Sequence, residues 1–227
     1  MLKAFHTTFV NIFLIFVTSI FLIVVFTSVV KAQNSAPNIE WQKSLGGSQY
    51  DSAFFIQQTS DGGFIIAGTG TSNDCDVTGN HGDDEYWIVK LDSLGTIQWQ
   101  KSLNGSFGNY ANSIQLTSDG GYIIAVYSNS NDGDVTGNHG SYDYSIVKLN
   151  SLGTIQWQKS LGGSNHDSAN SIQQTSDGGF IIAGQSESND GDVTGNHGSQ
   201  DYWIVKLDSL GTIQWQKSLG GSEYDWA

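Results

Sequence analysis

Side chains able to do chemistry recur in this sequence at one fixed interval. Asp132, Asp134, His139 and Asp143 lie in one polar stretch, and Asp190, Asp192, His197 and Asp201 repeat them at matching positions in the next. The stretches run from Asn131 to Asp143 and from Ser188 to Asp201, with a third counterpart from Asn73 to Glu85. Oxygen ligands crowded onto a flexible, Gly-rich loop suit a hard cation such as Ca²⁺. Asp132, Asp134, Asp190 and Asp192 are the metal-ligand candidates, with Asp143 and Asp201 beside them. The spacing departs from the EF-hand loop: the acids do not alternate as its ligands do, and no Glu closes the stretch. The same residue types also fold a loop unaided, because Asp and Asn hydrogen-bond nearby backbone and Gly supplies positive φ. A self-folding loop, a cation site and direct contact with a ligand are therefore the three readings of these residues.

Other chemistry is poorly served. His81, His139 and His197 recur singly, whereas zinc needs several N or S ligands converging on one point; hydrogen-bonded loop histidines are expected. Cys75 is the only cysteine, so no intrachain disulfide can form, and two other copies carry Gly133 and Gly191 at its position. Glycosidase chemistry needs an asymmetric pair of carboxyls at a defined separation. Almost every acid here recurs in register, and the non-repeated Glu40, Asp83, Asp84, Glu187 and Glu223 form no evident pair. No catalytic residues are expected.

The elements that hold these loops follow from the repeat. Trp41, Trp99, Trp157 and Trp215 recur with a 58-residue period, as do Asp61, Asp119 and Asp177, which marks a tandem array. The copies run over about 41–98, 99–156 and 157–214, with a partial copy at 215–227. Each reads as four strands. In the third copy, strand a is Ser168–Thr175, strand b Phe180–Gly184, strand c Tyr202–Leu207 and strand d Thr212–Lys217. Asp177-Gly178 marks the a–b hairpin, and the alternation of Ile213 and Trp215 with Gln214 and Gln216 marks a half-buried strand. Strands b and c are apolar on both faces apart from one lysine, so the sheet must be covered on both sides. Stacked four-stranded antiparallel blades of the β-propeller type meet that demand; a β-sandwich is the alternative. Antiparallel order places the tight a–b and c–d turns at one end of a blade and the long b–c and d–a connections at the other, where binding usually resides. The d–a connections add Asp51, Asn109 and Asp167. The tryptophans are expected to form the blade-to-blade core. Tyr144-Ser145 replaces Tyr-Trp in the middle copy, so Trp87 and Trp203 are expected to be partly exposed.

The run Gly-Gly-Phe-Ile-Ile-Ala-Gly, the loop Asp-Gly-Asp-Val-Thr-Gly-Asn-His-Gly and the segment Trp-Ile-Val-Lys-Leu-Asp-Ser-Leu-Gly-Thr-Ile-Gln-Trp-Gln-Lys-Ser-Leu-Gly-Gly resemble the β-propeller repeats of secreted and cell-surface bacterial proteins, common in the Bacteroidota. The resemblance runs from about Asn38 to the end and implies a repeat type rather than an activity. There are four d-type segments but three sets of a, b and c. The first is an orphan d strand, Ile39–Lys43, and the last residues, Ser222–Ala227, fall where a fourth strand a would begin. Closed propellers typically have four to eight blades. A truncated or fragmentary propeller is expected, with self-assembly of several chains through open blade edges as the alternative.

Residues 1–32 read as a signal peptide: a charged start, an uncharged apolar run from Phe9 to Val30, and Val30-Lys31-Ala32 at the cleavage position. The run is also long enough to anchor the chain in a membrane if uncleaved; either way the remainder, 33–227, is expected to be secreted or at the cell surface. Cleavage after Ala32 takes away Lys3 and Lys31 but no acid, so the formal charge moves from −13 to −15. With no arginine and this charge, nucleic acid is excluded as a partner. An extracellular non-catalytic binding or structural module is the expected function, in surface adhesion or carbohydrate binding, with a glycan or a protein as ligand. A secreted glycosidase-like hydrolase, or an accessory part of one, is the alternative.

Overall fold

The apolar runs fold as the period-two pattern requires. The computed structural model describes residues 36–80, 85–103, 105 and 109–225. Residues 1–32, expected to be a signal peptide, and His81, Asp83, Asp84 and the side chain of Asn109 lie outside the described residues. Twelve strands form three four-stranded antiparallel sheets, each in simple sequential order. The first blade is β1 (Asp51–Gln58), β2 (Phe64–Gly70), β3 (Glu85–Leu91) and β4 (Ile97–Leu103). The second is β5 (Asn109–Leu116), β6 (Tyr122–Ser128), β7 (Asp143–Leu149) and β8 (Ile155–Leu161). The third is β9 (Asp167–Gln174), β10 (Phe180–Ser186), β11 (Asp201–Leu207) and β12 (Ile213–Leu219). No helix occurs among the described residues, and three stacked sheets replace the two of a sandwich. The chain is an all-β protein of tandem four-stranded blades.

Residues 41–227 form one compact unit, built by packing each blade's first strand on its predecessor. Strand β5 lies against β1, β2 and β3, and β9 lies against β5, β6 and β7. Two apolar layers result. One joins Ile65, Ala67, Tyr86 and Ile88 of the first blade to Tyr122, Ile124, Val147 and Leu149 of the second. The other joins Ile123, Ala125, Tyr144 and Ile146 of the second to Phe180, Ile182, Trp203 and Val205 of the third. Strands b and c are apolar on both faces because each blade is covered by a neighbour on either side.

Two expectations need correction. No strand forms at Ile39–Lys43: a d-type strand pairs with the c strand of its own blade, and no such strand precedes it among the described residues. The segment still packs as a d strand does. Trp41 meets Phe64 edge-on at 5.7 Å, as Trp99 meets Tyr122 and Trp157 meets Phe180. The partial exposure expected of Trp87 and Trp203 is overturned as well, while Trp99 and Trp157 pack on the blade-to-blade layers as expected. Trp203 is fully buried and Trp87 nearly so, whereas Trp215 is about half exposed. Ser145 misleads because its neighbour on β6 changes with it: Val126 stands where the other blades have Gly68 and Gly184, and Ser145 pairs with Val126 as Trp203 pairs with Gly184. Bulk moves from strand c to strand b, and the core stays filled.

A second repeated device lies at the tight-turn end. Lys90, Lys148 and Lys206 are buried among apolar strand-c residues, and each ammonium reaches the a–b turn of its own blade, 2.9 Å from Asp61, Asp119 and Asp177 respectively. Lys148 also donates to the Leu149 carbonyl and to Gln156. For Asp119, burial works upward on the carboxyl, but hydrogen bonds from Thr117, Lys148 and the Gly121 N–H outweigh it and hold the group down at about 2. The Asp side chains are half exposed, so the pair is partly screened. Asp119→Ala strands the ammonium and is expected to cost about 2 kcal/mol, at the discounted end of what breaking a buried pair costs. The double variant Asp119→Ala/Lys148→Met is expected to recover most of that loss in urea unfolding; a double variant as unstable as the single would show that the lysine needs no counter-charge.

Candidate functional site

The long connections meet at the other end of each blade, and their acids act as staples. In the third blade, Asp190 Oδ1 accepts from the Ser164 N–H at 2.8 Å, Ser188 Oγ accepts from the Asn165 N–H at 3.0 Å, and the Asp192 N–H donates to the Gly162 carbonyl at 2.9 Å. The first blade repeats the pattern with Asp74 on the Ser48 N–H and Ser72 on the Gln49 N–H. The b–c loop is thereby tied to the d–a connection that leads into its blade. Backbone donation from Ser164 lowers the Asp190 carboxyl below its usual range. Asp134 lies 3.9 Å from the Lys101 ammonium.

His139 and His197 are held the same way. The backbone N–H of each donates to Asp143 or Asp201, and the ring Nδ1 lies 2.7 Å from the same carboxylate oxygen. The rings are exposed while Asp143 and Asp201 are buried. The other oxygen of each, Oδ1, is buried without a hydrogen-bond partner. Burial raises the Asp143 carboxyl above its ordinary value against the pull of His139.

Asp167, where β9 begins, is a strongly perturbed carboxyl at this end. Its oxygens accept from the Gly163 N–H, Ser186 and Ser188. Burial nevertheless pushes its carboxyl up to about 6, with Asp143 adding to the rise. Gly162 separates the two acids, and a Cβ at that residue would lie 2.6 Å from both Asp143 Oδ1 and Asp167 Oδ2. The structure therefore brings Asp143 of the second-blade loop, Asp192 of the third-blade loop and Asp167 to one blade junction. No group of three or more His, Cys, Asp or Glu side chains converges as a metal site among the described residues.

One feature of this face escapes a reading of the sequence. Tyr127 at the end of β6, Tyr142 before β7 and His166 before β9 form a half-buried aromatic cluster, with ring centres 5.3 to 6.0 Å apart. Their repeat counterparts are of other types, such as Gln185, Gln200 and Tyr224, so a search for recurring residues passes over them. The signal that could find Tyr127 and Tyr142 is the opposite one, aromatic side chains departing from the repeat at loop ends; at His166 a ring recurs, as Tyr50 and Tyr224.

No protein-family model matches the sequence, and no curated protein matches it. Among solved structures, a protein of unknown function from Bacteroides caccae is similar at 15% identity with a TM-score of 0.29, over 74% of this chain and 68% of that one.

Proposed function

We propose that this chain is an extracellular, non-catalytic binding and structural module of the β-propeller repeat type, and that it takes a carbohydrate on its long-loop face. The observation that carries this reading is the cluster of Tyr127, Tyr142 and His166, half-buried on a face whose loops are cross-tied. Rigid aromatic rings offer a sugar an apolar surface at low entropic cost, and the Asp, Asn and His side chains around them supply polar contacts. Catalysis has less support, because the acids at this end are engaged by backbone and hydroxyl donors in the same way from blade to blade. Export, signalled by residues 1–32, belongs to the same proposal.

Isothermal titration against soluble laminarin, xylan, mannan and pectin, with Ca²⁺ and with chelator, tests the reading. Saturable binding to one of them is expected, weakened about tenfold by Tyr142→Ala, equivalent to about 1.4 kcal/mol. Binding to none, or binding untouched by Tyr142→Ala, would reject the carbohydrate site. Release of reducing sugar that a single Asp→Asn change abolishes would instead favour the hydrolase.

A further inference from the structure

The two internal blade junctions define what a covered blade face looks like, and one face of each kind is left uncovered by the described residues. On the trailing face of the first blade, Ile65, Ala67, Tyr86, Ile88 and Leu103 are buried beneath the second blade; Ile123, Ala125, Tyr144, Ile146 and Leu161 are buried beneath the third. The same positions on the third blade are Ile181, Ala183, Tyr202, Ile204 and Leu219. None of these is buried, and Tyr202 and Leu219 are 36% and 40% exposed. On the leading face, Ile114 and Ile172 are buried, yet their counterpart Ile56 is 65% exposed.

A cavity on that leading face has a recognisable shape. It holds about 170 Å³ and is lined by Leu45, Ser52, Ala53, Ile66, Gly68, Trp87 and Val89, among others. Two repeats further on, these become Leu161, Ser168, Ala169, Ile182, Gly184, Trp203 and Val205. At that junction Tyr144 of the second blade packs on Trp203, ring centres 4.6 Å apart, and its hydroxyl donates to the Trp203 carbonyl at 3.0 Å. A Cβ on Gly184 would lie 2.5 Å from that hydroxyl, so the glycine makes room for the ring. Among the described residues, the first blade thus has the same Gly–Trp socket with no tyrosine in it, and the third blade has the matching tyrosine, Tyr202, with no socket.

We propose that the occupant of this socket is Tyr202 of a second copy of the chain, so that the third blade of one molecule docks on the first blade of another. The contact continues the internal junction, with Ile204 and Leu219 of one copy meeting Ile56, Phe64 and Ile66 of the next. It is heterologous, pairing two different faces. Two copies bring six blades together, within the range of closed propellers. The inference stands independently of what the loop face binds.

Sedimentation of the protein produced from its full sequence, in whatever processed form results, tests this. Concentration-dependent self-association is expected. Tyr202→Asp, at an exposed position, is expected to weaken it about 100-fold, the effect of removing a central aromatic anchor and placing an unpaired charge at the interface, and to leave the melting temperature of the dilute protein unchanged. Ile56→Asp is expected to do the same from the opposite face. Because the two variants spoil different halves, mixing them should restore a heterodimer through the one intact junction. A monomer at high concentration, whether its faces are bare or covered by residues 1–35, would overturn the proposal. So would association indifferent to Tyr202→Asp, or a mixture of the two variants that stays monomeric.

Discussion

Trp203→Ala is expected to destabilise the chain by about 4 kcal/mol, whereas Trp87→Ala, the same change two repeats earlier, is expected to cost about half as much. Truncating a fully buried Trp typically costs about 3–5 kcal/mol, and the value depends on how far the surroundings can close over the gap. Trp203 is sealed: Tyr144 packs against one side with its ring tilted at 52°, and the indole N–H donates to Gln216 at 2.7 Å. Its loss leaves a cavity between two blades and an amide without its donor. Trp87 keeps the equivalent bond to Gln100, but no tyrosine among the described residues packs on it and its site already borders a void. Water or a shift of Leu45 can fill part of what Trp87→Ala opens. Urea unfolding in a Tyr202→Asp background, where no second copy can enter the socket, gives the comparison. Equal losses at the two sites would mean that the Tyr–Trp contact adds nothing to blade packing.

The same pair of tryptophans shows where sequence reasoning holds and where it fails. The blade itself is legible, because a 58-residue period with Asp-Gly turns and two strands apolar on both faces admits few other folds. Strand ends expected in the third copy fall within two residues of those observed. The burial of Trp203 is not legible from Ser145 alone; the compensation by Val126 lies on another strand and depends on register. The Lys–Asp pairs stay hidden for a related reason. Asp119 explains itself as a turn residue, and Lys148 explains itself as a polar break in strand c; only the antiparallel return brings them to 2.9 Å. Of the site, strand order identifies the loop face, and residue type marks its acids as able to fold the loop. Their actual partners, the N–H groups of Ser164 and Gly163 across the d–a connection, are set by tertiary contact, as is the meeting of Tyr127, Tyr142 and His166.

Asp167 gives the largest expected dependence on pH. In the unfolded chain its carboxyl titrates near 3.9; in the fold, burial and the neighbouring Asp143 push it up to about 6. The folded state therefore holds its proton over a window in which the unfolded state has lost it. Below about pH 4 both states are protonated and the group is neutral in its effect. As pH rises from 4 to 6 stability falls, and above 6 the loss is complete, at about 3 kcal/mol. The half-exposed turn acids act elsewhere on the scale: with folded values below the ordinary range, they contribute stability above pH 4 and lose it as pH falls further. Asp167→Asn mimics the protonated acid in shape, and Asn109 already stands at the equivalent position of the second blade. Its stability should lie about 1 kcal/mol below the wild type near pH 4 and exceed it by about 2 kcal/mol at pH 7. The remainder is given back where the amide replaces an acceptor that now serves Gly163, Ser186 and Ser188. Urea unfolding at half-unit steps from pH 4 to 7 reads the two curves. If they run parallel, those three donors have already compensated for the burial of the charge, and Asp167 and Asp143 share their junction without strain.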